Sequence, residues 1–180
     1  SGAEDEEAAD REKPLHQVDI PYGYWLGQYS VTVAQWQAFV AASGHRPVDA
    51  DSLRGVGNEP VVYVTWHEAV AFCGWLTTAW RQAGWLPAGG EVRLPSEAEW
   101  EKGARGGVAI AATPLICLAS NLAEPTAAAV SANLLPQRRF PWGEERTQEA
   151  ANGETSGVGT TTAVGGFPAG ASPYGALDMS

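Results

Sequence analysis

Cysteine is scarce in this chain of 180 residues, since Cys73 and Cys117 are the only two. They form no CxxC pair and no Cys/His cluster, which excludes a disulfide-rich scaffold and the usual spacings of zinc ligands. Cys73 lies on the apolar stripe of a predicted helix, where a small buried side chain is expected. Cys117 has no basic residue close in sequence that would activate its thiol. We therefore expect neither cysteine to act as a nucleophile.

Positive charge is also scarce, with 11 Lys and Arg against 21 Asp and Glu and a net charge of −10. Because phosphate contacts dominate nucleic-acid affinity, a chain without a clustered basic face is a poor binder of DNA or RNA. Six of the acids lie in residues 1–13, which predicts a solvated acidic leader. The alternative for this leader is a cation-binding arm. No apolar run is long enough for a membrane span.

Turn-forming residues and tryptophan are abundant instead, with 21 Gly, 12 Pro and 8 Trp. This composition predicts many turns and few long elements, while the mixture of predicted helices and short strands is an α+β pattern and the length of 180 residues predicts one domain. A Ser or Thr followed three residues later by Glu or Gln typically begins a helix. Three such capping boxes predict two main helices and one short helix: Thr32 with Gln35, Thr65 with Glu68, and Ser96 with Glu99.

Several short apolar segments between these helices are typical of strands. We expect strands at 16–20, 24–31, 60–66 and 91–94, with further short apolar pieces in 138–180. Residues 108–137 differ from the rest, because they are rich in alanine and carry one acid, Glu124, and no base before Arg138. We interpret this segment as an insertion that forms a surface-packed loop with a helical turn or two.

Few residues qualify as catalytic. Glu97, Glu99 and Glu101 alternate along a predicted helix, where residues two apart do not share a face, so capping and the helix dipole explain them better than paired acid–base chemistry. The stretch "WHEAV" begins like a zinc-protease helix, but Ala71 stands where the second histidine would be needed.

One glycine-rich segment suggests a metal site. The stretch "ANGETSGVG" at 151–159 places several side-chain oxygens in a turn, and calcium prefers such oxygens together with backbone carbonyls on a flexible loop. An Asx turn explains the same residues without a metal. From the spacing alone, both interpretations stay open.

The order of several motifs resembles the formylglycine-generating, or sulfatase-modifying factor, family. The pair "RLPSEAEWEKGARGG" and "FPWG" is the most specific part of a resemblance that runs from about Pro14 to Ser180. The other stretches that carry it are "YSVTVAQWQAFV", "PVVYVTWHEAVAFCGWL" and "GTTTAVGGFPAGASPYGALDMS".

The resemblance implies a variant of the C-type lectin fold. Its members include copper- and oxygen-dependent enzymes that convert a sulfatase cysteine to formylglycine, and non-haem iron sulfoxide synthases. They also include non-catalytic ligand-binding domains, notably the variable proteins of diversity-generating retroelements. In the family the motif at Asp178–Ser180 runs on into further sequence that carries the catalytic cysteines. By this comparison the domain is truncated at both ends, and the copper-binding cysteines have no counterpart here.

The resemblance also implies metal ligands. Asn152, the carbonyl of Gly153, Ser156 and the carbonyl of Val158 fall where the family places one calcium ion. Ser156 stands where some members have aspartate, which predicts weak binding. Asp178 falls where a second calcium site begins.

Two functions remain open from the sequence. The first is a non-catalytic bacterial ligand-binding or display domain, with calcium as a structural ion and a protein or small molecule as its ligand. The alternative is a copper- and oxygen-dependent formylglycine-generating oxidase. We expect no nucleic-acid partner, association with a C-terminal segment beyond Ser180, and a soluble, cytoplasmic rather than secreted location.

Overall fold

A computed structural model describes residues 18–122, 129–153 and 157–180. The acidic leader predicted at 1–13 lies outside these ranges. The described residues form a mixed α+β structure with three α-helices and one small antiparallel sheet. The helices are α1 (Val33–Ser43), α2 (Trp66–Gln82) and α3 (Glu97–Arg105), and the strands are β1 (Ala109–Ala111) and β2 (Val130–Ala132). Short 3₁₀ turns lie at Ala50–Leu53, Ala119–Asn121 and Pro168–Gly170.

All three helices begin at the predicted capping boxes. In each box the Ser or Thr oxygen accepts a hydrogen bond from the third helical N–H, and the side-chain oxygen of that third residue accepts one from the cap N–H. α1 ends at Gly44, whose φ of 70° lies in the left-handed region that glycine adopts without strain. The predicted helix positions are therefore confirmed.

The strand predictions were wrong within the described residues. Segment 24–31 is extended but makes single hydrogen bonds to distant partners: the Val31 carbonyl accepts from the Val61 N–H, and the Gln28 carbonyl accepts from the Leu177 N–H. Segment 91–94 pairs with a helix instead, because the Val92 N–H donates to the Thr77 hydroxyl of α2 at 2.8 Å. A β-ladder requires several consecutive paired residues. These isolated backbone hydrogen bonds therefore form no strand, although the residue types favour strands.

The predicted insertion at 108–137 contains the regular sheet instead. β1 and β2 pair antiparallel with Ala109 opposite Ala132, and a helical turn follows at Ala119–Asn121. The helical turn was predicted, whereas the strand pair was not. Buried Asn133 fastens this segment to the end of α3, because its Nδ2 donates to the carbonyl of Gly107 at 2.8 Å.

The main core is aromatic and lies between α1 and α2, where Trp36, Phe39, Phe72 and Cys73 are buried. A smaller cluster joins Ala104 of α3 to Ala176 and Met179 near the end of the chain. Trp100 does not belong to either cluster, since 46% of its surface is exposed. Trp100 lies outside the core because α3 buries the face that carries Glu99, Gly103 and Ala104.

Candidate functional site

Four separated segments meet at a cleft with a volume of about 190 Å³. Its apolar lining comes from Pro60, Ala150, Ala151 and Val164. The backbone N–H of Val164 donates to the Asn58 carbonyl at 2.9 Å, which holds the 161–164 segment against the loop before Pro60. The polar lining consists of Asn152, Thr161, Thr162, Asp178 and Ser180.

Asp178 is held in an uncommon backbone conformation at the wall of this cleft. Its φ is 58°, a left-handed value that Asp and Asn adopt more readily than other non-glycine residues. Its Oδ2 accepts a hydrogen bond from the Gly165 N–H at 2.7 Å. The Tyr29 ring packs on Gly165, where an added Cβ would lie 2.6 Å from the ring's Cε1. The carboxylate is therefore fixed before any ligand arrives.

Asn152 closes the loop on the opposite side. Its Nδ2 donates to the Thr160 carbonyl at 2.7 Å and lies 3.5 Å from the hydroxyl of Thr162. This hydrogen bond ties residue 152 to residue 160, eight positions further along the chain. It also brings the carboxamide and the hydroxyl to the same cleft wall.

Asn152 was predicted as a ligand of the first calcium site and Asp178 as a ligand of the second, and both line the same cleft. Gly153 follows Asn152, and a Cβ added there would lie 3.2 Å from the guanidinium Nη2 of Arg146. Val158 is 43% exposed, and Ser156 lies outside the described residues.

The described oxygen donors fit calcium poorly. Calcium takes six to eight oxygens, and a guanidinium beside Gly153 disfavours a dication. Across residues 18–122, 129–153 and 157–180, no three His, Cys, Asp or Glu side chains gather as a metal cluster. Calcium binding at 151–159 stays a prediction.

Glu99 serves structure rather than chemistry. It is 1% exposed, and its two carboxylate oxygens receive both terminal nitrogens of Arg93, one at 2.7 Å. The hydrogen bonds from Arg93, followed by that from the Ser96 N–H, hold the pKa of the Glu99 carboxyl far below its usual range. Glu97 and Glu101 remain on the exposed side of α3.

Glu68 has the same structural role at the start of α2. Burial alone would raise the pKa of this carboxyl, but backbone N–H groups of Thr65 and Val48 donate to it and lower its pKa to about 2. His45 Nε2 lies 3.3 Å from the same carboxylate and fastens the loop after α1. Both buried glutamates therefore anchor loops to helix N-termini.

The two cysteines lie in different surroundings. Cys73 is 8% exposed in the aromatic core, and burial raises the pKa of its thiol. Cys117 is exposed in the insertion. The raised pKa disfavours the thiolate that a nucleophile or metal ligand requires.

Sequence analysis missed Thr161 and Thr162, which line the cleft, and Gly165, whose N–H donates to Asp178. Their positions depend on pairings between segments far apart in sequence, such as 58 with 164 and 165 with 178, and no local pattern encodes those pairings. Arg93 offered a clearer signal, because a basic residue lies three positions before a helix cap whose third residue is an acid.

None of the described helices is long and apolar enough to cross a membrane.

Comparison with known proteins gives a consistent result. The family described as "Sulfatase-modifying factor enzyme 1-like domain" matches residues 1–180. A hercynine oxygenase of Mycolicibacterium smegmatis is 30% identical over 200 residues, which cover 94% of this chain and 38% of that protein. A formylglycine-generating enzyme of Streptomyces coelicolor is 30% identical over 145 residues, which cover 56% of this chain and 41% of that enzyme.

A serine/threonine-protein kinase, pkn1 of Chlamydia caviae, is also similar, with 27% identity over 94% of this chain and 23% of the kinase. The chain thus spans about two fifths or less of the length of these relatives.

Proposed function

This chain belongs to the sulfatase-modifying factor enzyme 1-like domain family, and from that premise we propose that it is a ligand-binding domain with a C-type lectin-like fold. In this proposal the cleft around Asp178 is the binding site, and the 180 residues by themselves perform no oxidation. The proposal does not include the finer assignment to retroelement variable proteins, because none of the relatives reported above is named as one.

The cleft is the observation that carries the proposal. Small-molecule sites are concave, mostly preformed, and combine apolar walls with a few fixed polar groups. The cleft resembles such a site, since Asp178 and Asn152 are each held by a hydrogen bond of 2.7 Å and four of the nine lining residues are Ala, Pro or Val. The similarity to a protein kinase supports a binding role, because a related sequence also occurs in a protein that is named neither as a hercynine oxygenase nor as a formylglycine-generating enzyme.

A panel of small probes tests this proposal. We would record melting curves with ethanolamine, acetate or ethylene glycol, because a solute that binds the folded state alone raises its melting temperature. Ala151→Leu fills the cleft, and Ala41→Leu makes the same change on the exposed surface of α1. We expect at least one probe to stabilise the wild type and Ala41→Leu but not Ala151→Leu. If no probe does so, or if Ala151→Leu responds like the wild type, the proposal is wrong.

The alternative function is an oxygen-dependent oxidoreductase, which the hercynine oxygenase and formylglycine-generating relatives favour. Copper would supply oxygen activation in a formylglycine-generating enzyme, but Cys73 is buried and Cys117 is its sole companion in this sequence. We expect no aldehyde on a sulfatase-motif peptide incubated with this chain, copper and oxygen. Turnover well above that of the double variant Cys73→Ala, Cys117→Ala would establish the alternative.

A further inference from the structure

The outer edge of β2 has unpaired backbone groups. The Asn133 N–H donates to the Val108 carbonyl at 2.9 Å, so the backbone at position 133 faces β1. Because successive residues of an antiparallel ladder alternate in direction, the N–H and C=O groups of Val130 and Ala132 face away from β1. Within the part of the chain that the structure describes, these outward groups pair with no other residue.

We infer that this edge is a self-association site, at which β2 pairs antiparallel with β2 of a second copy of the chain. The strand lies apart in sequence from the residues that line the cleft, so the inference does not depend on the proposed function. About a two-fold axis at Ser131, Val130 of one copy lies opposite Ala132 of the other, and the two residues exchange their N–H···O bonds. Each outward group of the strand then has a partner.

The exposure of β2 supports this association. All three residues of the strand are exposed, and Val130 exposes 70% of its surface. Leu134, just after the strand, exposes 90%. A two-stranded hairpin is only marginally stable in water, whereas three or more strands with an apolar face support one another. Pairing of two copies joins both two-stranded sheets into one sheet of four strands.

Charge favours a second copy as the occupant of this edge. Chains that each carry a net charge of −10 repel one another, so they meet most readily where the surface is uncharged. Residues 129–137 contain no Asp, Glu, Lys or Arg, and a basic partner would therefore gain nothing there. Exposed edges of monomeric proteins usually carry a charge or a proline that blocks pairing, and residues 130–132 carry neither.

The strand is held in place before a partner arrives. Asn133 is buried, and its Nδ2 donates to the Gly107 carbonyl at 2.8 Å. Its Oδ1 accepts hydrogen bonds from the Leu135 N–H and from Nη2 of Arg138, the second at 2.7 Å. These contacts fix the end of β2 to the end of α3, which reduces the ordering entropy that pairing would otherwise cost.

Sedimentation velocity of the whole chain tests the inference. The mass should rise from that of a 19.0 kDa monomer toward that of a dimer between about 10 µM and 1 mM, because strands of three residues form a small and weak interface. Ser131→Lys should weaken the dimer at least about tenfold, since two lysines would face each other across the axis. Ser120→Lys makes the same change on the exposed turn at Ala119–Asn121 and should dimerise like the wild type.

A mixture of two variants tests the register of the pairing. Ser131→Lys and Ser131→Glu should associate with each other more tightly than either does with itself, because opposite charges then face each other. Loss of the hairpin alone would allow no such rescue. A mixture that associates no better than its components, or equal dimerisation of Ser131→Lys and Ser120→Lys, would contradict the inference.

The concentration series of the wild type decides the matter even if a variant does not fold. A wild-type chain that stays monomeric at about 1 mM overturns the inference, even if an extended peptide of another protein binds the edge.

Discussion

Glu99 illustrates at the scale of the residue how one side chain combines two structural tasks. It completes the capping box of α3 through the Ser96 N–H at 2.7 Å, and it forms a paired contact with Arg93. A buried carboxylate is tolerated only when its oxygens are satisfied, and here both are. Its chemistry therefore belongs to folding, and the acids of "SEAEWE" need no catalytic explanation.

Removal of this carboxylate should be costly. We expect Glu99→Ala to lower the free energy of unfolding by about 3 kcal/mol, because hydrogen bonds to charged groups each contribute about 1.5–3 kcal/mol. Glu97→Ala, two residues away on the exposed side of α3, should change stability by less than about 0.5 kcal/mol. Denaturant melts of both variants measure the difference, and equal losses would show that Glu99 is not buried as described.

Two tryptophans provide a second matched pair. Trp36 is 1% exposed in the aromatic core, whereas Trp100 is 46% exposed on α3. Trp36→Ala should cost about 3–5 kcal/mol, since it leaves a cavity between α1 and α2. Trp100→Ala should cost less than half as much. If Trp100→Ala lowers the free energy of unfolding more than Trp36→Ala does in urea melts, the exposed position of Trp100 is wrong.

The elements show where local sequence suffices and where it does not. The three helix starts were predictable because a capping box is complete within four residues. The strands were not, because a segment such as 91–94 met a helix side chain, Thr77, instead of a neighbouring strand. The same limit applies to the site. Asn152 was predictable as a polar turn residue and Asp178 only through the family resemblance, and their shared cleft depends on long-range contacts.

The junction of α2 with the loop after α1 should be sensitive to acid. The pKa of Glu68 is lowered from 4.5 to about 2, so its contribution to stability is complete above pH 4.5 and is lost as the pH falls toward 2. The melting temperature should therefore drop over that range. Glu68→Gln should be less stable at pH 7 and should show a shallower drop. Parallel slopes for the two proteins would mean that other carboxylates control acid unfolding.

The 151–159 segment carries the calcium prediction. If calcium binds there, millimolar calcium should raise the melting temperature of the wild type, because an ion bound to the folded state alone stabilises it. Asn152→Ala should reduce that rise, and sodium at equal ionic strength should not reproduce it. An identical response of the wild type and Asn152→Ala would leave the segment as an Asx turn.

At the scale of the whole molecule, the described residues form a cleft from parts that lie far apart in the chain. Residues near 60, 150, 162 and 178 meet there. The mixture of predicted helices and strands indicated the α+β class and the family motifs indicated the fold, but the cleft required the three-dimensional arrangement.

Titration of the ¹⁵N-labelled chain with each of the small probes tests the proposed binding cleft most directly. The Gly165 N–H is the most informative signal, because it is hydrogen-bonded to the Asp178 carboxylate, which lines the cleft. We predict that the Gly165 amide shifts most, that the amides of Thr161 and Thr162 follow the same saturation curve, and that α1 stays unchanged. A Gly165 signal that does not move while other regions respond, or no saturable change anywhere, would contradict the account.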